Sequence, residues 1–114
     1  MSHNENPPPQ QTQNRALEGV RVTDLSRVLA GPSCTQLLGD LGAEIIKIEK
    51  PGDGDDTRSW GPPYLKDDQG DDTSESAYYL SCNRNKKSLT LDIRQEEAQE
   101  IIHELLEKSD ILIE

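Results

Sequence analysis

VRVTDLSRVLAGPSCTQLLGDLGAEIIKI, residues 20–48, decides the fold. It opens on Val20–Leu25 (VRVTDL), where apolar and polar residues alternate and β-branched side chains recur, the signature of a strand. Ser26–Gly31 is a short loop, and Pro32 suits the first turn of a helix, where its missing N–H costs little. Cys34, Leu37, Leu38 and Leu41 then fall at i, i+3, i+4 and i+7, which draws one apolar helical face. Gly42 is placed to end that helix, and Glu44–Ile48 (EIIKI) reads as a second strand. A strand–loop–helix–strand unit of this kind favours two parallel strands joined by a right-handed crossover.

The same alternation continues beyond residue 48. Pro51–Glu75 is rich in Gly, Pro and Asp and has no sustained period, so it reads as a long loop with Lys66–Glu75 as its disordered part. Ser76–Ser81 is expected to form a short helical turn and Ser88–Leu91 (SLTL) a third strand. Asp92 and Gln95 have capping-box spacing, and Ala98, Ile101, Ile102, Leu105 and Leu106 mark a second amphipathic helix. Asp110–Glu114 (DILIE) begins a fourth strand. The expected fold is therefore α/β, a Rossmann-like parallel sheet with flanking helices. Its last strand has no following helix to cover it, so the expectation is an incomplete part of a larger domain, a truncated chain or a split subunit. Met1–Ala16 is dominated by Pro, Gln and Asn and is expected to be a disordered tail, which leaves 17–114 as the folded part.

Composition narrows the partners. The formal net charge of −10 argues against nucleic acid or an anionic membrane surface. The acids gather in Asp53, Asp55 and Asp56 and again in Asp67–Glu75, while Arg84, Lys86 and Lys87 form a local basic run that either binds phosphate or is a solvated face. The two cysteines, Cys34 and Cys82, lack metal-type spacing and read as buried thiols of a reducing, cytoplasmic setting. No stretch resembles a signal peptide or reaches membrane-spanning length. The acid-rich loop does not fit the calcium-loop pattern, and His3 and His103 have no neighbouring His or Cys, so no metal site is expected.

Open α/β sheets bind ligands beyond the carboxyl ends of their strands. The first such turn is Arg27–Pro32 (RVLAGP), which feeds a helix N-terminus and whose Ala30 and Gly31 are small enough for close ligand approach. The second starts at Lys50, whose ammonium has the reach for a phosphate. The dinucleotide fingerprint is absent from the first turn, since Gly52 and Gly54 follow the second strand with no helix after them, and no phosphate-loop motif ends in GK[ST]. Both observations count against a nicotinamide or flavin module.

The residues themselves resemble a family. Leu17–Val22 (LEGVRV), Asp24-Leu25 and Val28–Pro32 (VLAGP) are similar to the opening of class III CoA-transferases, as are Leu41–Glu44 (LGAE) and Ile46–Glu49 (IKIE). Gly52–Arg58 (GDGDDTR), Trp60–Pro63 (WGPP), Asn83–Ser88 (NRNKKS) and Leu91-Asp92 continue the likeness to the end of the chain. Within the family the chain looks closest to the succinyl-CoA:glutarate branch that handles dicarboxylates, although formyl-CoA transferases and 2-methylacyl-CoA racemases share much of this opening.

That resemblance implies a coenzyme A site, acyl-CoA and carboxylic acid substrates, and an interlocked homodimer. It implies covalent catalysis by an aspartate that becomes acylated and that no residue of this sequence matches. No catalytic residue is therefore assigned, and the 114-residue chain alone is expected to be inactive. The coenzyme-contacting positions carry over as Leu29, Ala30, Lys50, Leu91 and Arg94. Leu29 stands where formyl-CoA transferases have Gln, which disfavours formyl–oxalyl chemistry, and Lys50 stands where the family often has Arg, keeping the charge but losing the fork. The bland alternatives are a core role for Leu29, solvated surface charges for Lys50 and Arg94, and a local ion pair for Arg58 among the acids. For the chain as a whole they are a racemase, a non-catalytic interaction module, or a nucleotide-redox module.

Overall fold

The computed structural model describes residues 14–114; the expected tail lies outside the described residues for positions 1–13. Arg15 and Ala16, assigned to that tail from sequence, instead belong to the turn that leads into the sheet. The Glu18 N–H donates to the Arg15 carbonyl (3.1 Å) and the Leu17 N–H to the Leu41 carbonyl (2.9 Å).

Strand β1 (Arg21–Asp24), helix α1 (Ala30–Asp40) and strand β2 (Glu44–Glu49) form the expected unit. β1 pairs β2 in parallel with Val22 opposite Ile45 and Asp24 opposite Lys47. After β2 come a single 3₁₀ turn (Asp56–Ser59), strands β3 (Tyr64–Lys66) and β4 (Asp72–Ser76), and helix α2 (Ala77–Cys82). Strand β5 (Lys86–Thr90), helix α3 (Glu96–Glu107) and strand β6 (Ile111–Ile113) complete the described chain. The four-stranded sheet runs β5-β2-β1-β6, with every pairing parallel. β1 and β2 thus lie in the middle, and their carboxyl ends open on the same edge of the sheet.

The core is small. Val22, Ala43 and Ile45 are buried together, with Leu17, Val20, Leu38, Ile111 and Ile113 packed against them. Gly42 ends α1 with φ +107°, and the Ala43 and Gly42 N–H groups donate back to the Leu38 (3.1 Å) and Gly39 (3.0 Å) carbonyls, a Schellman closure.

Three readings of the sequence need correction. Most of the expected apolar face of α1 does not face inward: Leu38 packs against the core, but Leu37 is 61% exposed and Leu41 50%, Cys34 is exposed too, and the buried side is Pro32, Thr35, Gln36 and Gly39. Polar pairing decides this orientation. The Thr35 hydroxyl donates to Asp24 Oδ2 (2.6 Å), and the Gln36 amide donates to the Ser81 carbonyl (3.1 Å) while accepting from the Arg84 N–H (3.1 Å). Residues 66–75 are not a structureless loop, because β3 and β4 pair antiparallel across a turn in which the Asp67 carboxylate accepts from the Gln69 and Asp71 N–H groups (2.9 Å each). Helix α3 starts at Glu96 with Gln95 as its N-cap, so Asp92 caps the preceding turn through the Arg94 N–H (3.2 Å) rather than the helix.

The orientation of α1 makes a prediction about its thiol. Cys34 is exposed whereas Cys82 is buried, so an aromatic disulfide reagent is expected to titrate one thiol in the native chain and both in denaturant. Two fast-reacting thiols in the native chain would contradict the burial of Cys82.

Candidate functional site

Beneath the carboxyl ends of β1 and β2 lies a network of buried charge. Lys47 and Asp55 are both fully buried, and the Lys47 ammonium donates to Asp55 Oδ2 at 2.8 Å and to the Ser26 carbonyl at 3.2 Å. The other Asp55 oxygen accepts from the Thr57 N–H (3.0 Å) and hydroxyl (2.9 Å). Burial works to raise the Asp55 carboxyl, but the bonds from Lys47 and Thr57 outweigh it and hold it below the usual carboxylate range.

Asp24, also fully buried, accepts from the Ser26 N–H (2.8 Å) and hydroxyl, from Thr35, and sits 3.4 Å from the Lys86 ammonium. Glu49 anchors a second cluster. Its carboxylate takes a fork from Arg58 (2.8 and 2.9 Å), the Asp55 N–H (2.9 Å) and the Ser88 hydroxyl. Arg58 stacks over the Tyr79 ring at 3.8 Å and donates to its hydroxyl at 2.7 Å. Arg58 is thus more than a surface ion-pair partner.

Above this network the turn Ser26–Gly31 leaves β1. Val28 holds φ +75°, a left-handed conformation that a β-branched residue adopts at a cost of about 1–3 kcal/mol. Its N–H points to Asp55 Oδ2 at 3.4 Å. Gly31 is small for an internal reason rather than for a ligand: a Cβ there would lie 2.2 Å from the Ser26 Cβ. Gly31→Ala is therefore expected to displace the turn, visible as shifted Ser26 and Gly31 amide resonances, whereas an unshifted spectrum would contradict that packing.

A cavity of about 450 Å³ opens at the strand ends. Leu25, Arg27, Lys50, Leu91, Ile93 and Arg94 line it, with Lys47 and Asp55 in its wall. Three of the five positions expected to meet coenzyme, Lys50, Leu91 and Arg94, come together here. Leu29 and Ala30 do not line the cavity. They lie exposed, Leu29 at the N-cap of α1 and Ala30 at its first position, beside the cavity on the turn that carries Arg27. Leu29, at 51% exposure, is not a core residue.

Arg27 is the cation that the sequence reading passed over. Its place in the turn that leaves the first strand is the signal that marks it. Each cation on the rim has a carboxylate beside it: Lys50 donates to Asp56 Oδ1 (2.9 Å), Arg27 lies 3.9 Å from Asp56 Oδ2, and Arg94 grips Asp92 (2.9 and 3.1 Å). The bonds from Arg94 hold the Asp92 carboxyl at about 2.

The basic run does not gather at this cavity. Arg84 forks onto Asp40, Lys87 pairs with Glu44 (2.9 Å), and Lys86 turns inward to the Pro32 carbonyl (2.9 Å) and Asn83 (2.8 Å). A second, more open and polar cavity of about 920 Å³ lies between the hairpin and β5, with Trp60, Tyr64, Thr73 and Ser88 among its walls. Among the described residues no cluster of three or more His, Cys, Asp or Glu is arranged to hold a metal ion, and no helix is long and apolar enough to cross a membrane.

Comparison with known proteins identifies the family. The family model described as CoA-transferase family III matches residues 17–114. The succinyl-CoA:glutarate CoA-transferase of Mus musculus is 53% identical over 100 residues, covering 88% of this chain and 21% of that protein. The succinate–glutarate CoA-transferase of Agrobacterium fabrum is 45% identical over 98 residues, 86% of this chain and 24% of the relative. Among solved structures, a CAIB/BAIF family protein from Brucella suis superposes with a TM-score of 0.78 at 46% identity, over 88% of this chain and 25% of that one. The chain thus spans about a quarter or less of the length of these proteins.

Proposed function

The chain belongs to CoA-transferase family III, and from that membership we propose that it is the coenzyme-A-binding N-terminal portion of an enzyme moving CoA between an acyl-CoA and a dicarboxylic acid. The observation that carries this reading is the convergence of Arg27, Lys50 and Arg94 around one cavity at the carboxyl ends of parallel strands. Coenzyme A presents a pyrophosphate and a ribose phosphate beside an adenine. A rim of cations offers the charge, and Leu25, Leu91 and Ile93 offer apolar surface for the base.

Lys50 and Arg94 engage phosphate by exchanging their present carboxylate partners for the ligand. Exposed pairs of that kind hold each other weakly, typically by less than about 1 kcal/mol, so the exchange is inexpensive. Leu29 and Ala30 border the same site on the turn that carries Arg27 and are assigned to the coenzyme as its flank. The dicarboxylate preference is supported by the two dicarboxylate-named relatives, and the acylated aspartate of the family mechanism has no counterpart among the residues assigned here. The chain's own part is to bind and orient the coenzyme.

Calorimetric titration of the chain with coenzyme A and, separately, with NAD tests this. Saturable coenzyme A binding is expected, weakened about five- to tenfold by Lys50→Ala and again by Arg94→Ala, with both losses shrinking at high salt. Binding of NAD in preference to coenzyme A, or indifference to both substitutions, would overturn the reading.

A further inference from the structure

Arg27 reaches the 450 Å³ cavity from a turn whose two neighbouring residues are each tied to the same buried ion pair. Lys47 donates to the carbonyl of Ser26 (3.2 Å), and Asp55 faces the N–H of Val28 (3.4 Å) through the oxygen that also takes Lys47 (2.8 Å). We propose that Lys47 and Asp55 are positioning residues, which clamp the backbone on both sides of Arg27 and so present its guanidinium to an anionic group of the ligand.

Three features support a clamp rather than an ordinary core pair. Both members sit in the wall of the cavity rather than remote from it. The clamped residue, Val28, holds a left-handed φ of +75° that its own β-branched side chain disfavours, so an external hold is needed to keep it there. Asp55 is itself fixed at its other oxygen by the Thr57 N–H and hydroxyl and at its backbone by Glu49 Oε1 (2.9 Å), which leaves Oδ2 no freedom to follow a moving loop. The pair is fully shielded from water, so the hold is not screened by salt. Among the described residues Arg27 has one distant partner, Asp56 at 3.9 Å, so its direction is set by the backbone.

The inference rests on the proposed coenzyme site, and a double-substitution cycle separates the two. In the full chain, coenzyme A affinity is measured for wild type, Asp55→Asn, Arg27→Ala and the double variant, with a thermal melt to establish that each is folded. Asp55→Asn is expected to weaken binding about tenfold and to flatten its salt dependence. In the Arg27→Ala background the same substitution is expected to change affinity by less than about twofold, because the group it positions is gone.

Should Asp55→Asn fail to fold, Thr57→Val removes the hydroxyl that fixes the other Asp55 oxygen (2.9 Å) and leaves the Lys47–Asp55 pair and the Val28 N–H in place; it is expected to weaken binding by about two- to threefold, again only when Arg27 is present. Equal losses with and without Arg27 would overturn the clamp while leaving the site standing. No coenzyme A binding by the folded wild-type chain would overturn the site, and the clamp with it.

Discussion

Lys47→Met is expected to lower the unfolding free energy by about 3–5 kcal/mol, read as a fall in the urea midpoint with little change in slope. The substituted side chain keeps most of the volume of the original but removes the ammonium that donates to Asp55 Oδ2 at 2.8 Å. Asp55 is 0% exposed, so its carboxylate has no water to turn to. It must either stay charged in a poor medium or take up a proton, and both cost free energy. The Ser26 carbonyl loses its ammonium donor in the same step. Replacing both members together, Lys47→Met with Asp55→Leu, is expected to recover only part of the loss: it removes the unpaired carboxylate, but it strands the buried Thr57 N–H and hydroxyl that Asp55 accepts from. A loss below about 1 kcal/mol for Lys47→Met would show that the pair is hydrated in solution.

Acid should unfold the chain mainly through Glu49. Burial alone would raise this carboxyl, but the bonds from Arg58, Ser88 and the Asp55 N–H outweigh burial and bring it down to about 2. An unfolded glutamate titrates near pH 4.3. A depressed folded value means that the stabilisation is fully present above the unfolded pKa and is lost as pH falls through the folded one. Roughly two units of depression correspond to about 3 kcal/mol, lost between about pH 5 and pH 2. Asp55 shifts in the same direction and adds to the slope.

Glu49→Gln should therefore be less stable than wild type at neutral pH, and the difference should close as the acid limb is reached. The substitution also strands Arg58, which keeps Tyr79 and a 3.6 Å neighbour in Glu75 but loses its fork. Parallel pH profiles for the two chains would contradict the assigned role of Glu49.

Much of this architecture was legible in the sequence because its signals are local. Alternation in Val20–Leu25, the Pro32 start, the Gly42 stop and the apolar run in Glu44–Ile48 mark β1, α1 and β2 to within a few residues. The inward face of α1 was not legible. Leucines at helical spacing ordinarily point to a core, whereas here Thr35 and Gln36 face inward because Asp24, Ser81 and Arg84 are there to meet them. Those partners are distant in sequence, so periodicity carries no trace of them. The β3–β4 hairpin escaped for a related reason: its strands are short and mostly polar (YLK and DTSES), so no apolar alternation announces them.

The candidate site divides in the same way. Lys50, Leu91 and Arg94 followed from the resemblance, and they share a cavity. Asp55 read as one more acid in an Asp-rich loop, and Lys47 as a polar residue in a strand. Their burial against each other depends on residue 55 folding back beneath the end of β2, which the sequence around it does not encode in any period.

The coenzyme site can be interrogated most directly by titrating isotopically labelled chain with coenzyme A while following backbone amides. A coenzyme site at the strand ends requires saturable shifts at Arg27–Ala30, Lys50 and Leu91–Arg94, with the β3–β4 hairpin little changed. Saturable shifts confined to the hairpin, or an unperturbed spectrum at millimolar coenzyme, would contradict it.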